Sequence, residues 1–338
     1  MPITQYDIAR EVGVSQTIVS DVLQGRPRGR VSDQTRQRIL EAARRMGYQV
    51  NAAARALRTG QSRSVLYMVV RSETGRNPEL GDTVISGLAY ALTSQNYKLI
   101  VLTESAHEGA LQDLQQMLLA SECDGCVLRV SEKETWDWSV IRDTKRPVLI
   151  LGRGSNLCLP SLSYDALGSM RIALGRLADR GHRRIGFLGA HENIDNAEYA
   201  ASLWHTVSRE FGIDPIRWFD RASEREEANV IAGRWLAEEH GPTALICLHQ
   251  RAAVGVTSTI LRSGLQLGEN FDLIVCGDMV AGGSISPWLY EPGTWYFEND
   301  PDQIGRLAAE QIIRLIEEKN SAGTCQILPK LRQVPASL

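Results

Sequence analysis

Residues 4–25 read TQYDIAREVGVSQTIVSDVLQG. Thr4 stands three residues before Asp7, the spacing of a capping box, in which each side chain satisfies a backbone amide at the start of a helix. Ile8, Ala9 and Val12 then share one face. Gly13-Val14 interrupts the pattern and Ser15 is placed to cap a second helix. Val19, Val22 and Leu23 turn inward at 3.6-residue periodicity, which leaves Gln16, Thr17, Ser20 and Asp21 outward. Two short helices joined by a tight glycine turn form a helix-turn-helix. Ser32 opens a third helix with Ile39, Leu40, Ala43 and Met46 expected inside, and Gly47 closes it from the C′ position.

Helix pairs of this kind also occur in bundles that never meet DNA, so charge decides. Residues 1–64 hold eleven arginines, no lysine and five acids, a net of +6 in a chain whose total is −3. A basic head on an acidic body points to a polyanion as the partner of the head alone. A fourth segment follows, Asn51-Ala-Ala-Ala-Arg-Ala-Leu-Arg-Thr-Gly60. Two helical turns are marginal in water. The segment is either a helical linker or a piece that folds only against DNA, with Leu57 as an apolar wedge in the minor groove.

Beyond residue 64, apolar runs alternate with helical stretches. The runs are Val65–Val70, Leu99–Leu102, Gly125–Val130, Val148–Leu151, Ile185–Leu188, Ala244–Leu248 and Leu273–Cys276. Between them lie segments such as Val84–Ser94, Leu111–Ser121, Ser169–Arg180 and Ala253–Ser263. This alternation implies an α/β fold of doubly wound parallel sheets, and the length favours two of them. At 43% hydrophobic and 23% charged residues the composition is that of a globular protein. No run reaches the ~18 residues of a membrane span. The first twenty residues carry no secretory pattern, so the cytoplasm is the expected address and no membrane partner is expected.

Several motifs read as structure. Cys123-Asp-Gly-Cys126 lacks the second pair or the histidine that a metal or redox site needs, and is read as two core cysteines. The six histidines are not at ligand spacing. Gly181-His182-Arg183-Arg184 is read as a turn before a strand, and Trp136 and Trp138 as core aromatics in preference to a sugar platform. No nucleophile–base pair, P-loop or GxGxxG stands out, so no cofactor, metal or catalytic residue is expected.

DIAREVGVSQTIVSDVLQG (7–25) and VSDQTRQRILEAARRMGYQVNAAARALRTGQSRSV (31–65) resemble the head of the lactose-repressor/galactose-repressor family of bacterial transcriptional regulators. PVLILGR (147–153), GHRRIGFLGA (181–190), PTALICLHQRAAVG (242–255) and LIVCGD (273–278) look like successive strands and turns of that family's effector-binding core. The resemblance implies a DNA-binding head over 1–50, a hinge helix over 51–60 and a two-lobed, periplasmic-binding-protein-like core over 61–338. Lobe one would span about 64–162 and 293–323, and lobe two about 163–292 and 324–338. A solute-binding receptor would have no use for the head, and an enzyme would need a constellation that is not visible.

The resemblance also implies roles. It implies a homodimeric repressor that places two heads on a pseudo-palindromic double-stranded operator. Gln16, Thr17 and Asp21 match the base-reading positions. Ser20, Tyr48 and Asn51 match backbone-contacting ones, joined by Arg26, Arg28 and Arg30 in a loop about two residues longer than usual for the family. Ala54 and Leu57 match the minor-groove wedge. A small-molecule effector, a sugar or sugar derivative in the cleft between the lobes, would meet Asn77, Arg153, His249, Gln250 and Asp278. The family pattern departs here: Asn77-Pro78-Glu79-Leu80 lacks the usual aromatics, no arginine stands near Tyr199 and Ala200, and His249-Gln250 replaces an Asn-Asp pair. An unusual effector such as a modified sugar or sugar acid is expected. A family member with no effector at all is the alternative.

Overall fold

The computed structural model describes residues 3–23, 31–48, 56, 60–71, 81–105, 109–120, 122–129, 137–142, 144, 146–152, 159–190, 197–277, 291–298, 300–318 and 324–335. The chain divides into two compact units, Met1–Ser62 and Arg63–Leu338.

The first unit holds α1 (Gln5–Val12), α2 (Gln16–Leu23) and α3 (Asp33–Arg45). Thr4 and Asp7 form the reciprocal capping box. Gly13 adopts φ +73°, a left-handed conformation that costs a glycine nothing. Its N–H and that of Val14 both donate to the Ala9 carbonyl, at 2.9 and 3.0 Å, so the chain turns at once into α2. Ser15 Oγ accepts the Ile18 N–H, and Ser32 Oγ accepts the Thr35 N–H. At the end of α3, Tyr48 N–H reaches Ala43 O and Gly47 N–H reaches Arg44 O, the two bonds of a Schellman motif. Ile8, Ala9, Val12, Val19, Val22, Ile39, Ala42 and Ala43 make the core, with Met46 and Leu23 packed at its edge. Leu40 departs from expectation: it is 39% exposed, and Ala42 takes the inner place. The buried face of α3 runs 39-42-43-46, and a residue directly after Ile39 is rotated about 100° away from it.

The second unit contains two six-stranded sheets. The first is built from β1 (Ser64–Arg71), β2 (Lys98–Ser105), β3 (Gly125–Arg129), β4 (Val148–Leu151), β5 (Ser161–Tyr164) and β11 (Thr324–Ile327), in the order β11-β5-β4-β3-β1-β2 and parallel throughout. Around it lie α4 (Gly81–Ser94), α5 (Ala110–Leu119), α6 (Ser139–Arg142) and α11 (Pro301–Glu318). The second has β6 (Ile185–Gly189), β7 (Phe219–Arg221), β8 (Ala244–Cys247), β9 (Asp272–Val275), β10 (Trp295–Glu298) and β12 (Lys330–Gln333), in the order β12-β10-β9-β8-β6-β7. Only its edge pair β10/β12 is antiparallel among the described pairings. Its helices are α7 (Ala166–Asp179), α8 (Ala197–Glu210), α9 (Arg225–Leu236) and α10 (Gln250–Arg262).

Each sheet is covered on both faces, which is why β3, β4, β6, β8 and β9 are buried along their whole length rather than at alternate residues. One apolar cluster of the first sheet packs against α4 and α11, the other against α5 and α6. In the second sheet the two clusters face α7 with α8 and α9 with α10. α4 and α11 meet backbone to backbone: a Cβ on Gly87 would lie 2.1 Å from the Asp302 carbonyl oxygen, and one on Gly305 2.2 Å from that of Val84.

The chain passes from the first sheet to the second at Asp165, returns between Glu298 and Pro301, and passes back between Ile327 and Lys330. The sequence reading put these passages near 162/163, 292/293 and 323/324, each a few residues early. β5 (SLSY) and β11 (TCQI) have no apolar run to announce them, and the aromatic run of β10 (WYFE) is only three residues long. No described helix is long and apolar enough to cross a membrane.

Candidate nucleic-acid interface and effector site

α2 owes its orientation to the Gly13 turn and to Val19 and Val22, which are buried against α1 and α3. On the opposite side Gln16 and Thr17 are exposed, while Ser20 and Asp21 are half-buried. Gln16 and Thr17 occupy the first turn, where a side chain projects past the helix end. That is the part of a recognition helix which meets base edges in the major groove. Tyr48 is half-buried against the rim of the same core, and its backbone is fixed by the Schellman bond to Ala43.

The head's basicity is partly spent on the head itself. Arg38 Nη2 donates to the Val12 carbonyl at 3.1 Å, closing the end of α1. Arg45 pairs with Glu11 at 2.6 Å, and Arg10 lies 3.9 Å from Asp7. The loop and hinge positions Arg26, Arg28, Arg30, Asn51, Ala54 and Leu57 lie outside the described residues.

In the second unit, His249 and Gln250 follow the carboxyl end of β8 and open α10, both half-buried. His249 is the N-cap residue; its carbonyl accepts the Ala253 N–H, and its side chain makes no cap hydrogen bond. Asn77, Arg153 and Asp278 lie outside the described residues, so His249 and Gln250 are the two expected effector residues that the structure locates. Two residues that the sequence reading passed over stand at equivalent strand ends. Arg129 ends β3 at 6% exposure, hydrogen-bonded to the Tyr67 hydroxyl. Arg221 ends β7, its Nη1 2.7 Å from Glu198 Oε1 on α8. The signal for Arg129 was a charge inside the apolar run Gly125–Val130.

Cys123 and Cys126 are buried free thiols. Burial pushes Cys123 up to about 11 and Cys126 well above its ordinary value, far from thiolate chemistry at neutral pH. Trp138 packs against the first sheet's core; Trp136 lies outside the described residues. His182 sits in a turn bonded to Thr243 and Asp272 at the amino-terminal ends of the second sheet, away from the strand ends where ligands collect. No group of metal-ligating side chains occurs among the described residues.

Residues 4–51 match the family model described as bacterial regulatory proteins, lacI family, and residues 174–335 match the periplasmic binding protein-like domain. The HTH-type transcriptional repressor PurR of Mannheimia succiniciproducens is 26% identical over 275 residues, covering 80% of each chain. The HTH-type transcriptional regulator AglR of Rhizobium meliloti is 26% identical over 285 residues, covering 83% of this chain and 79% of its own. Among solved structures, a lac repressor dimer bound to operator and the anti-inducer ONPF superposes with a TM-score of 0.78 at 20% identity, covering 99% of both chains.

Proposed function

Because the chain belongs to the lacI family of bacterial regulatory proteins, a family of DNA-binding regulators and not of enzymes, we propose that it is a repressor that binds a pseudo-palindromic operator as a homodimer and is controlled by a carbohydrate-like molecule. The observation that carries the DNA reading is the exposed pair Gln16 and Thr17 at the start of a helix whose far side is buried. Side chains so placed reach base edges, and the head's arginines supply the sequence-independent attraction to phosphate.

Gln16, Thr17 and Asp21 read bases. Ser20, Tyr48, Asn51, Arg26, Arg28 and Arg30 hold the backbone, and Ala54 and Leu57 wedge the minor groove between half-sites. Homodimerisation is supported by apolar side chains left exposed on the second unit: Tyr90 on α4, Val101 on β2, Val230 on α9 and Leu261 on α10. A second copy related by a two-fold axis would cover the same patches on both partners. The effector reading places the ligand at the carboxyl ends of the strands, where doubly wound sheets bind small molecules, among Asn77, Arg153, His249, Gln250 and Asp278. Its binding would alter the spacing of the two hinges and so the affinity for operator.

The test is a mobility-shift and footprinting assay of the full chain on DNA upstream of its own coding region. A two-fold symmetric protected site is the expected result. Gln16→Ala with Thr17→Ala should abolish preference for that site while leaving weak binding to unrelated DNA. Equal affinity for all sequences in the unaltered protein would overturn the reading.

A further inference from the structure

An arginine ends a strand at the carboxyl edge of each sheet of the second unit, Arg129 in the first and Arg221, ion-paired with Glu198, in the second. Arg129 is the last residue of β3, a central strand flanked by β1 and β4, and it pairs in register with Val69. Its guanidinium is almost wholly buried, and a guanidinium cannot shed its proton to escape the cost of burial. It is hydrogen-bonded to the hydroxyl of Tyr67, which is itself 1% exposed.

In the second sheet, β6 lies between β7 and β8. Its carboxyl end is bracketed by two backbone bonds, Ala222 N–H to Gly189 O at 3.0 Å and Leu248 N–H to Leu188 O at 2.9 Å. Arg221 immediately precedes the first bracket and His249 immediately follows the second. Glu198 orients the Arg221 guanidinium from α8, and the Phe219 ring lies beneath it with its centroid 5.9 Å away. On the His249 side α10 begins with its amides at the strand end, the His249 side chain making no cap hydrogen bond, and Gln250 brings no charge there. A helix amino terminus carries partial positive charge and favours anions.

We propose that the effector is a carbohydrate bearing an anionic group, a carboxylate or a phosphate, and that Arg129 and Arg221 recognise that group or its immediate surroundings. The proposal rests on the reading that a small molecule is bound at the strand carboxyl ends. Arginine suits the task because its planar fork matches a carboxylate or a phosphate oxygen pair. A neutral hexose offers hydroxyl oxygens as acceptors but no countercharge.

The experiment is calorimetry on the full chain with glucose, D-glucuronate and glucose 6-phosphate, repeated on Arg129→Met, Arg129→Lys and Arg221→Gln. One of the two anions should bind at least about tenfold tighter than glucose. A response to glucuronate alone assigns a sugar acid, and a response to glucose 6-phosphate alone assigns a sugar phosphate. Arg221→Gln and Arg129→Met should each weaken the anion by about tenfold or more and weaken glucose by distinctly less, while Arg129→Lys, which keeps the charge, should retain part of the affinity. If Arg129→Met does not fold, the Lys variant and Arg221→Gln carry the comparison. Glucose binding as tightly as both anions, no binding by either anion, or anion affinity unchanged in the Arg221→Gln and Arg129 variants would overturn the proposal. Operator affinity measured on the same samples separates the two levels. A neutral sugar that shifts it keeps effector control and removes the anionic requirement. An anion that binds through both arginines without shifting it keeps the anion site and removes effector control.

Discussion

Nε2 of His182 lies 2.7 Å from Oδ2 of Asp272, ninety residues away in sequence, and Arg180 Nε donates to the same oxygen. Asp272 opens β9 with its side chain fully buried, and the two donors come from the turn that leads from α7 into β6. His182 Nδ1 contacts Thr243 Oγ1 at 2.9 Å, and Arg180 Nη2 donates to the Gly268 carbonyl at 2.7 Å. One carboxylate thus fastens the amino-terminal ends of β6, β8 and β9.

Burial pushes the Asp272 carboxyl up, but the hydrogen bonds from His182 and Arg180 outweigh it and hold it below its ordinary value. A carboxyl whose folded value is depressed stabilises the fold above its unfolded value, near 4 for aspartate, and that stability is lost as pH falls through the folded value. Asp272→Ala should cost about 1.5–3 kcal/mol at neutral pH, because it removes a buried charged acceptor from the half-buried His182 imidazole and the more exposed Arg180 guanidinium. Urea denaturation at pH 7 and at successive values below about 4 should show the gap between the two proteins narrowing on the acid side. A gap that stays constant would mean that the carboxylate's charge is not what fastens the turn.

What could be read in the sequence was local. The Gly13 turn, the Thr4–Asp7 box and the Ser32 cap each depend on residues a few positions apart, and each stands where the pattern put it. The apolar runs of β3, β4, β6, β8 and β9 are buried on both faces and so declare themselves. Leu40 was misplaced because a leucine beside a buried isoleucine looks like core unless its angle round the helix is counted. β12 was missed because an exposed edge strand needs no apolar run, and β10 because its aromatic stretch is only three residues long. His182–Asp272 and Arg221–Glu198 join residues that only the assembled sheet brings together. GHRR could be recognised as a turn, but not what fastens it.

α4 and α11 provide a packing test. Gly305→Ala would drive a methyl group to within 2.2 Å of the Val84 carbonyl, a backbone atom that cannot move aside without shifting the helix. Overpacking of this kind costs about 1–3 kcal/mol. Thermal denaturation should show a lowered midpoint for Gly305→Ala. Gly233→Ala is the control, since its added Cβ would meet only the Thr259 methyl at 3.9 Å. Equal midpoints for the two variants would show that the helices can separate freely.

The loop arginines can be counted by salt. Arg28→Ala with Arg30→Ala should weaken binding to operator and to unrelated DNA alike. The slope of log K against log salt should flatten by about 0.9 for every phosphate contact removed. Fluorescence anisotropy across a salt series measures it directly. An unchanged slope would show that the loop does not touch DNA.

The hinge is tested by Leu57. An apolar side chain wedged between base steps kinks the duplex toward the major groove. Leu57→Ala should therefore lower operator affinity and reduce the bend seen in circular-permutation gels, with the thermal midpoint of the second unit unaltered. Full affinity with full bend in the variant would remove the wedge.

Asp21 tests the direction of base reading. It is half-buried on the outward side of α2, one turn beyond Thr17, where Val19 and Val22 hold the helix from behind. A carboxylate there can accept from the N4 amine of cytosine, and it repels the phosphates on either side of the groove. An arginine in its place would instead donate to O6 and N7 of guanine. Asp21→Arg should therefore raise affinity for all DNA and move the preferred base at one position of each half-site toward guanine. Selection from operators randomised in the half-site, run in parallel on the two proteins, shows both effects. The two changes separate what the residue does: a general rise in affinity with an unaltered consensus would mean that Asp21 acts only through charge, and that base reading rests on Gln16 and Thr17.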